Sequence, residues 1–201
     1  RIEMTFARAL RAILRQDPDV IMIGEIRDLE TAQIAVQASL TGHLVLATLH
    51  TNSAAGAVTR LVDMGIEPYL LASTLSGVLA QRLVRKLNPA TRRARPPDDA
   101  ERSMLSACIN PQHRSISQLF EPSPASVSVA GPMAAYHGRT GIYELLAVDE
   151  VLRKLIHDGE AESAITAAAV RNGMVPLRED GLRWVADGVT SLEEVLRVTR
   201  D

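Results

Sequence analysis

Apolar residues near the start of the chain recur at a helical period. Phe6, Ala9, Leu10, Ile13 and Leu14 fall at three- and four-residue intervals and predict a helix with one core-facing stripe. Arg8, Arg11 and Arg15 lie together on its opposite side. Asp17-Pro18 ends it, because the residue before a proline is pushed out of the helical basin. The period then collapses into an unbroken apolar run, Val20-Ile21-Met22-Ile23, short and mostly β-branched. Such a run predicts a strand buried on both faces.

The same alternation continues. Asp28 is placed to cap a second helix, which Thr41-Gly42 closes. Leu44 to Leu49 predicts a second buried strand. Ser53 is placed to cap a helix ending at Gly65, and Pro68 suits the first turn of another, running towards Leu87. Strands alternating with helices imply a parallel α/β sheet. Residues 88–138 lose this periodicity and hold seven of the ten prolines, which predicts an irregular insert. Residues 139–201 regain pattern: a short strand, Thr140 to Leu146, then several small helices. Gly159, Gly173 and Gly188 fall where helices end, and Ser191 with Glu194 has the spacing of a capping box. Three stretches follow: 1–87, 88–138 and a helical subdomain at 139–201.

Composition narrows the class. The 22 basic and 24 acidic residues leave a net charge of −2, and aromatics make up only 3%, so a nucleic-acid-coating surface is not indicated. Hydrophobic residues reach 46%, so the core is aliphatic. No apolar run approaches the roughly 18 residues that a membrane span needs, and no signal peptide is visible. The single cysteine, Cys108, excludes an intramolecular disulfide and a multi-cysteine zinc site, and points to a cytosolic setting. Only Lys86 and Lys154 are lysines, and no glycine is followed by one. A complete P-loop, which ends Gly-Lys-Ser/Thr, is therefore absent from these residues. With Arg1 first and a strong helical pattern following almost at once, the chain reads as a piece of something longer.

Three constellations carry candidate chemistry. Glu25 follows the Val20–Ile23 run, at the carboxyl end of a predicted parallel strand, where α/β sheets bind ligands. There a carboxylate can orient a water for attack on phosphate and help hold Mg²⁺ through water. The plainer reading is a solvent-facing glutamate. His43 and His50 bracket the second strand, and a histidine at the carboxyl end can sense a γ-phosphate. The plainer reading makes both of them turn residues. Arg8, Arg11 and Arg15, with Arg27 and Arg60, can neutralise phosphoryl charge or can make surface ion pairs. Two weaker groups complete the survey. Arg82, Arg85, Lys86, Arg92, Arg93 and Arg95 form a basic cluster at the edge of the insert, and Cys108 with His113 supplies at most two metal ligands.

Taken together, these residues resemble the secretion ATPases of the type II and type IV pilus superfamily. The stretch TFARALRAILRQDPDVIMIGEIRDLETAQIA is similar to that family's Walker B strand and its flanking helices. TGHLVLATLHTNSA is similar to its histidine box, and GRTGIYELL and TSLEEVLRVTR match further segments. The type II branch is nearest, with pilus extension ATPases next. The resemblance implies a partial RecA-like ATPase core with a helical subdomain, ATP and Mg²⁺ as ligands of the whole protein, and a homo-hexamer. It implies Glu25 as the catalytic glutamate, His43 and His50 as histidine-box residues, and Arg11, Arg15, Arg27 and Arg139 as nucleotide-responsive or subunit-contact arginines. It further implies a cytoplasmic protein held peripherally at the inner membrane by a secretion platform and a docking partner, driving pseudopilus assembly without nucleic acid. The family's usual pair of Cys-x-x-Cys motifs is missing between Asn88 and His137, so zinc is not expected. A truncated, non-enzymatic remnant and a nucleic-acid motor on the same core are the competing readings.

Overall fold

In the computed structural model, which describes residues 6–108, 110–123 and 135–200, helix α1 spans Phe6–Leu14. Ala7 and Leu10 are buried with Leu14 packed beside them, whereas Ile13 is exposed, so the buried stripe is rotated from the predicted one. Asp17 adopts a left-handed backbone (φ 53°), which aspartate tolerates better than most side chains, and the chain turns there into β1, Val20–Ile23. Asp28 caps α2 (Leu29–Leu40) as predicted, its carboxylate accepting the Thr31 N–H at 2.8 Å. Gly42, at φ 99°, turns the chain out of that helix in a conformation that a Cβ would resist. Strand β2, Leu44–Ala47, returns parallel to β1, with Val20 opposite Leu44 and Ile23 opposite Ala47. The alternating pattern thus yields a βαβ unit.

The expected burial of both strand faces is corrected. Ile21 and Ile23 pack with Leu10, Ile34, Ala35 and Ala38, but Val20, Met22, Leu44 and Leu46 are exposed, Met22 to 78%. An apolar run suited to two layers has, among the described residues, only one layer against it.

Helix α3 (Ala54–Asp63) begins at Ser53 and gives way to Gly65, and α4 (Pro68–Thr74) begins at its proline, all as predicted. Helix α4 does not run towards Leu87. Ser73 and Thr74 hydrogen-bond back to the Tyr69 and Leu70 carbonyls, Leu75 turns extended, and Gly77–Leu87 forms strand β3 instead. The remaining elements are β4 (Arg92–Arg95), α5 (Asp99–Ser106), α6 (Pro111–Arg114), β5 (Leu119–Pro122), β6 (Tyr136–Ala147), α7 (Glu150–His157), α8 (Glu162–Arg171), α9 (Leu177–Ala186) and α10 (Leu192–Val198). Strand β3 pairs with β6, and β4 runs antiparallel to β5. The stretch read as irregular therefore holds regular elements in its described part. Four of its described prolines stand at element edges, with Pro96-Pro97 ahead of α5, Pro111 at the start of α6 and Pro122 at the end of β5. Asp98 and Glu101 form a reciprocal capping box there.

Two compact units result, and they do not follow the three stretches read from sequence. The first comprises residues up to Val78 with Leu146–Met174, and in it α7 packs on α4 and α8 on α3. The second comprises Leu79–Leu145 with the residues from Val175 onward. Its core includes Val84, Leu105, Leu119, Ile142, Leu182 and Val195. Gly159, Gly173 and Gly188 take positive φ after their helices, as predicted. The Ser191–Glu194 capping box is only half formed. The Ser191 hydroxyl accepts the Glu194 N–H, but the Glu194 carboxylate turns to Arg85 and Arg197 instead. Burial pushes that carboxyl up, and the two guanidinium groups more than offset it, leaving its pKa at about 2. His113 and Glu179 form a second buried pair in this unit, 2.7 Å apart.

Candidate functional site

The parallel register decides what meets at the carboxyl edge of the first unit. With Ile23 opposite Ala47, the residues that follow each strand emerge side by side. Two bonds fasten the pair there. The Ile26 N–H donates to the Thr48 carbonyl at 2.9 Å, and the Thr48 hydroxyl donates to the Gly24 carbonyl. Glu25 and His50 are thereby brought together, the His50 Nε2 lying 3.3 Å from one Glu25 carboxylate oxygen. The other oxygen takes an ion pair from the Arg27 guanidinium.

This carboxylate is half-open to solvent, its side chain 30% exposed, while those of Arg27 and His50 are 76% and 93% exposed. The Arg27 hydrogen bond holds the Glu25 carboxyl below the usual carboxylate range, burial partly opposes it, and His50 adds to the lowering. Glu25 is therefore ionised at neutral pH and acts as an acceptor. It can orient a water or a hydrated cation, with a guanidinium and an imidazole beside it. Among the described residues, no three His, Cys, Asp or Glu side chains converge to hold a metal on their own.

The other predicted residues are placed elsewhere. His43 sits at the opposite end of β2, about 13 Å from the strand's last residue at the ordinary rise per strand residue. Its Nδ1 lies 3.0 Å from the Thr41 hydroxyl and 3.1 Å from the Ala38 carbonyl, at the end of α2. Arg11 pairs with Glu30 of α2 at 2.9 Å. Arg15 is exposed just beyond α1, and Arg139 is exposed on β6 in the second unit. Thr48 was missed in the sequence. A hydroxyl directly after the Leu44–Ala47 run, level with Gly24, was the signal that could have found it.

Residues 1–197 match the sequence profile of the family described as Type II/IV secretion system protein. The chain belongs to that family. It is 58% identical over 201 residues to the type II secretion system protein HxcR of Pseudomonas aeruginosa, covering all of this chain and 38% of that one. The type II secretion system ATPase E of Vibrio cholerae is 54% identical, with the same coverage of each. The chain thus spans under two-fifths of the length of these secretion-family relatives. Among solved structures, the pilus retraction motor PilT with bound ADP matches with a TM-score of 0.65 and 28% identity, over 98% of this chain and 44% of that one. The fold is accordingly part of a RecA-like α/β core, as the resemblance implied.

Proposed function

We propose that this chain carries one half of the ATP-hydrolysing site of a type II secretion motor. The observation that supports this most is Glu25, ionised at the carboxyl end of a parallel strand between Arg27 and His50. In this reading the Glu25 carboxylate accepts a hydrogen bond from the attacking water and aligns it with the γ-phosphate. His50 donates to the phosphate it faces, and Arg27 offsets charge that develops as the bond breaks. Glu25 is the residue that would hold Mg²⁺, through water, and the ion would supply positive charge beside the phosphates. A single carboxylate acting through water suits a cation that dehydrates reluctantly.

No glycine precedes a lysine here, so the phosphate-cradling loop comes from outside these 201 residues. The exposed face of Val20, Met22, Leu44 and Leu46 fits a sheet that the rest of a longer protein covers. Arg11, Arg15 and Arg139 reach phosphate or a neighbouring subunit in a homo-hexamer, and His43 supports the strand from its far end. The motor works at the cytoplasmic side of the inner membrane, held by a secretion platform and a docking protein and without nucleic acid. No helix among the described residues is long and apolar enough to cross a membrane. The relatives' names favour secretion over pilus extension.

The test is ATP hydrolysis by the full-length protein carrying Glu25→Gln, with ATP binding followed in parallel. Retained binding with turnover reduced about 100-fold or more is expected, the scale of losing one preorganised group at a transition state. Undiminished turnover overturns the assignment.

A further inference from the structure

The loop that carries His50 is tied down by a residue 109 positions further along the chain. Ser53 caps α3, and its Oγ accepts the Gly56 N–H at 2.9 Å. The same hydroxyl donates to the Oε1 of Glu162, in the first turn of α8, at 2.6 Å. A serine hydroxyl has one proton and two lone pairs. Giving the proton to Glu162 leaves the lone pairs facing the helix, so the carboxylate sets the orientation of the cap. Within the loop, the Thr51 hydroxyl donates to the Ser53 carbonyl at 3.1 Å, which stiffens the link back towards His50. His50 is 93% exposed, so the backbone beneath it sets its position more than packing does. Gly56 makes room for this bridge. A Cβ there would lie 2.8 Å from Ser53 Oγ and 3.2 Å from Glu162 Oε1.

We propose that Glu162 is a positioning residue for the Glu25–His50 site, fixing the start of α3 through Ser53 and so holding His50 against Glu25. This rests on the reading of that site as the ATP site. In the full-length protein, Glu162→Ala is expected to lower kcat about 3- to 10-fold with KM nearly unchanged, as for a residue felt in the transition state. Glu162→Gln, which keeps an acceptor oxygen, is expected to recover most of the activity. The double variant Glu162→Ala/His50→Ala is expected to turn over no more slowly than His50→Ala alone, because both changes act on one group. Gly56→Ala gives an independent arm: alanine favours the helix yet crowds the bridge, so kcat falls without a lower melting temperature.

Wild-type kcat in Glu162→Ala, or a double variant slowed by the product of the two single effects, overturns the proposal. Should Glu162→Ala fail to fold, Gly56→Ala with wild-type kcat overturns it equally. The reading of the site fails separately, if Glu25→Gln leaves turnover intact.

Discussion

Both compact units hold a carboxylate between two nitrogen-bearing side chains, in opposite surroundings. Glu194 of the second unit is almost wholly buried, 2.9 Å from Arg85 Nε and from both Arg197 donors. Arg85 is in turn stacked over the Tyr136 ring. Glu25 of the first unit sits at an open strand end, and its two partners are largely solvated. A buried charge needs its partners, because removing one leaves another group desolvated and unpaired. An exposed pair contributes little stability and can exchange a partner for an incoming ligand. Similar arrangements are therefore sealed inside the fold in one place and left open to an incoming group in the other. Accessibility separates the two roles.

The comparison breaks first at Glu194. Glu194→Ala is expected to cost about 3 kcal/mol, the low end for opening a buried pair because the arginines keep some contact with water. A urea melt reads this directly, and a loss below about 1 kcal/mol would place Glu194 with the surface pairs. The acid limb sharpens the point. The folded pKa of Glu194 lies below the ordinary carboxylate value, so its contribution is present above that range. It is lost as pH falls from about 4.5 towards about 2. Glu194→Ala should flatten the fall in melting temperature across that window. The smallest effect is predicted for Arg27→Ala, which should leave the urea midpoint nearly unchanged because the pair it removes is exposed. A larger loss would make the Glu25 cluster structural too.

Much of the first unit was legible in the sequence because its signals are local. Asp28, Ser53, Pro68 and the Gly42 and Gly65 turns act within a few residues, and each stands where its side chain or φ predicts. The βαβ order followed from them, and it put Glu25 and His50 at one edge. Long-range choices were not legible. Residues after Thr74 could continue a helix on apolar content alone, and only pairing with β6 makes them β3. Glu194 has capping-box spacing, yet Arg85, 109 residues earlier, outbids its own backbone for the carboxylate. The short elements of residues 88–123 were hidden because four to eight residues do not establish a period, and prolines at element edges read as breaks. Burial of both strand faces was misjudged for a different reason. Val20, Met22, Leu44 and Leu46 are as apolar as their buried neighbours, so the pattern alone does not show which face the described residues cover.

The most direct test of this account is the ATP turnover of the full-length protein with Glu25→Gln, counted per folded subunit and set beside the wild type. A fall of about 100-fold or more, with the melting temperature nearly unchanged, is the predicted result. Turnover close to wild type, or a melt lowered as far as that of Glu194→Ala, would contradict it.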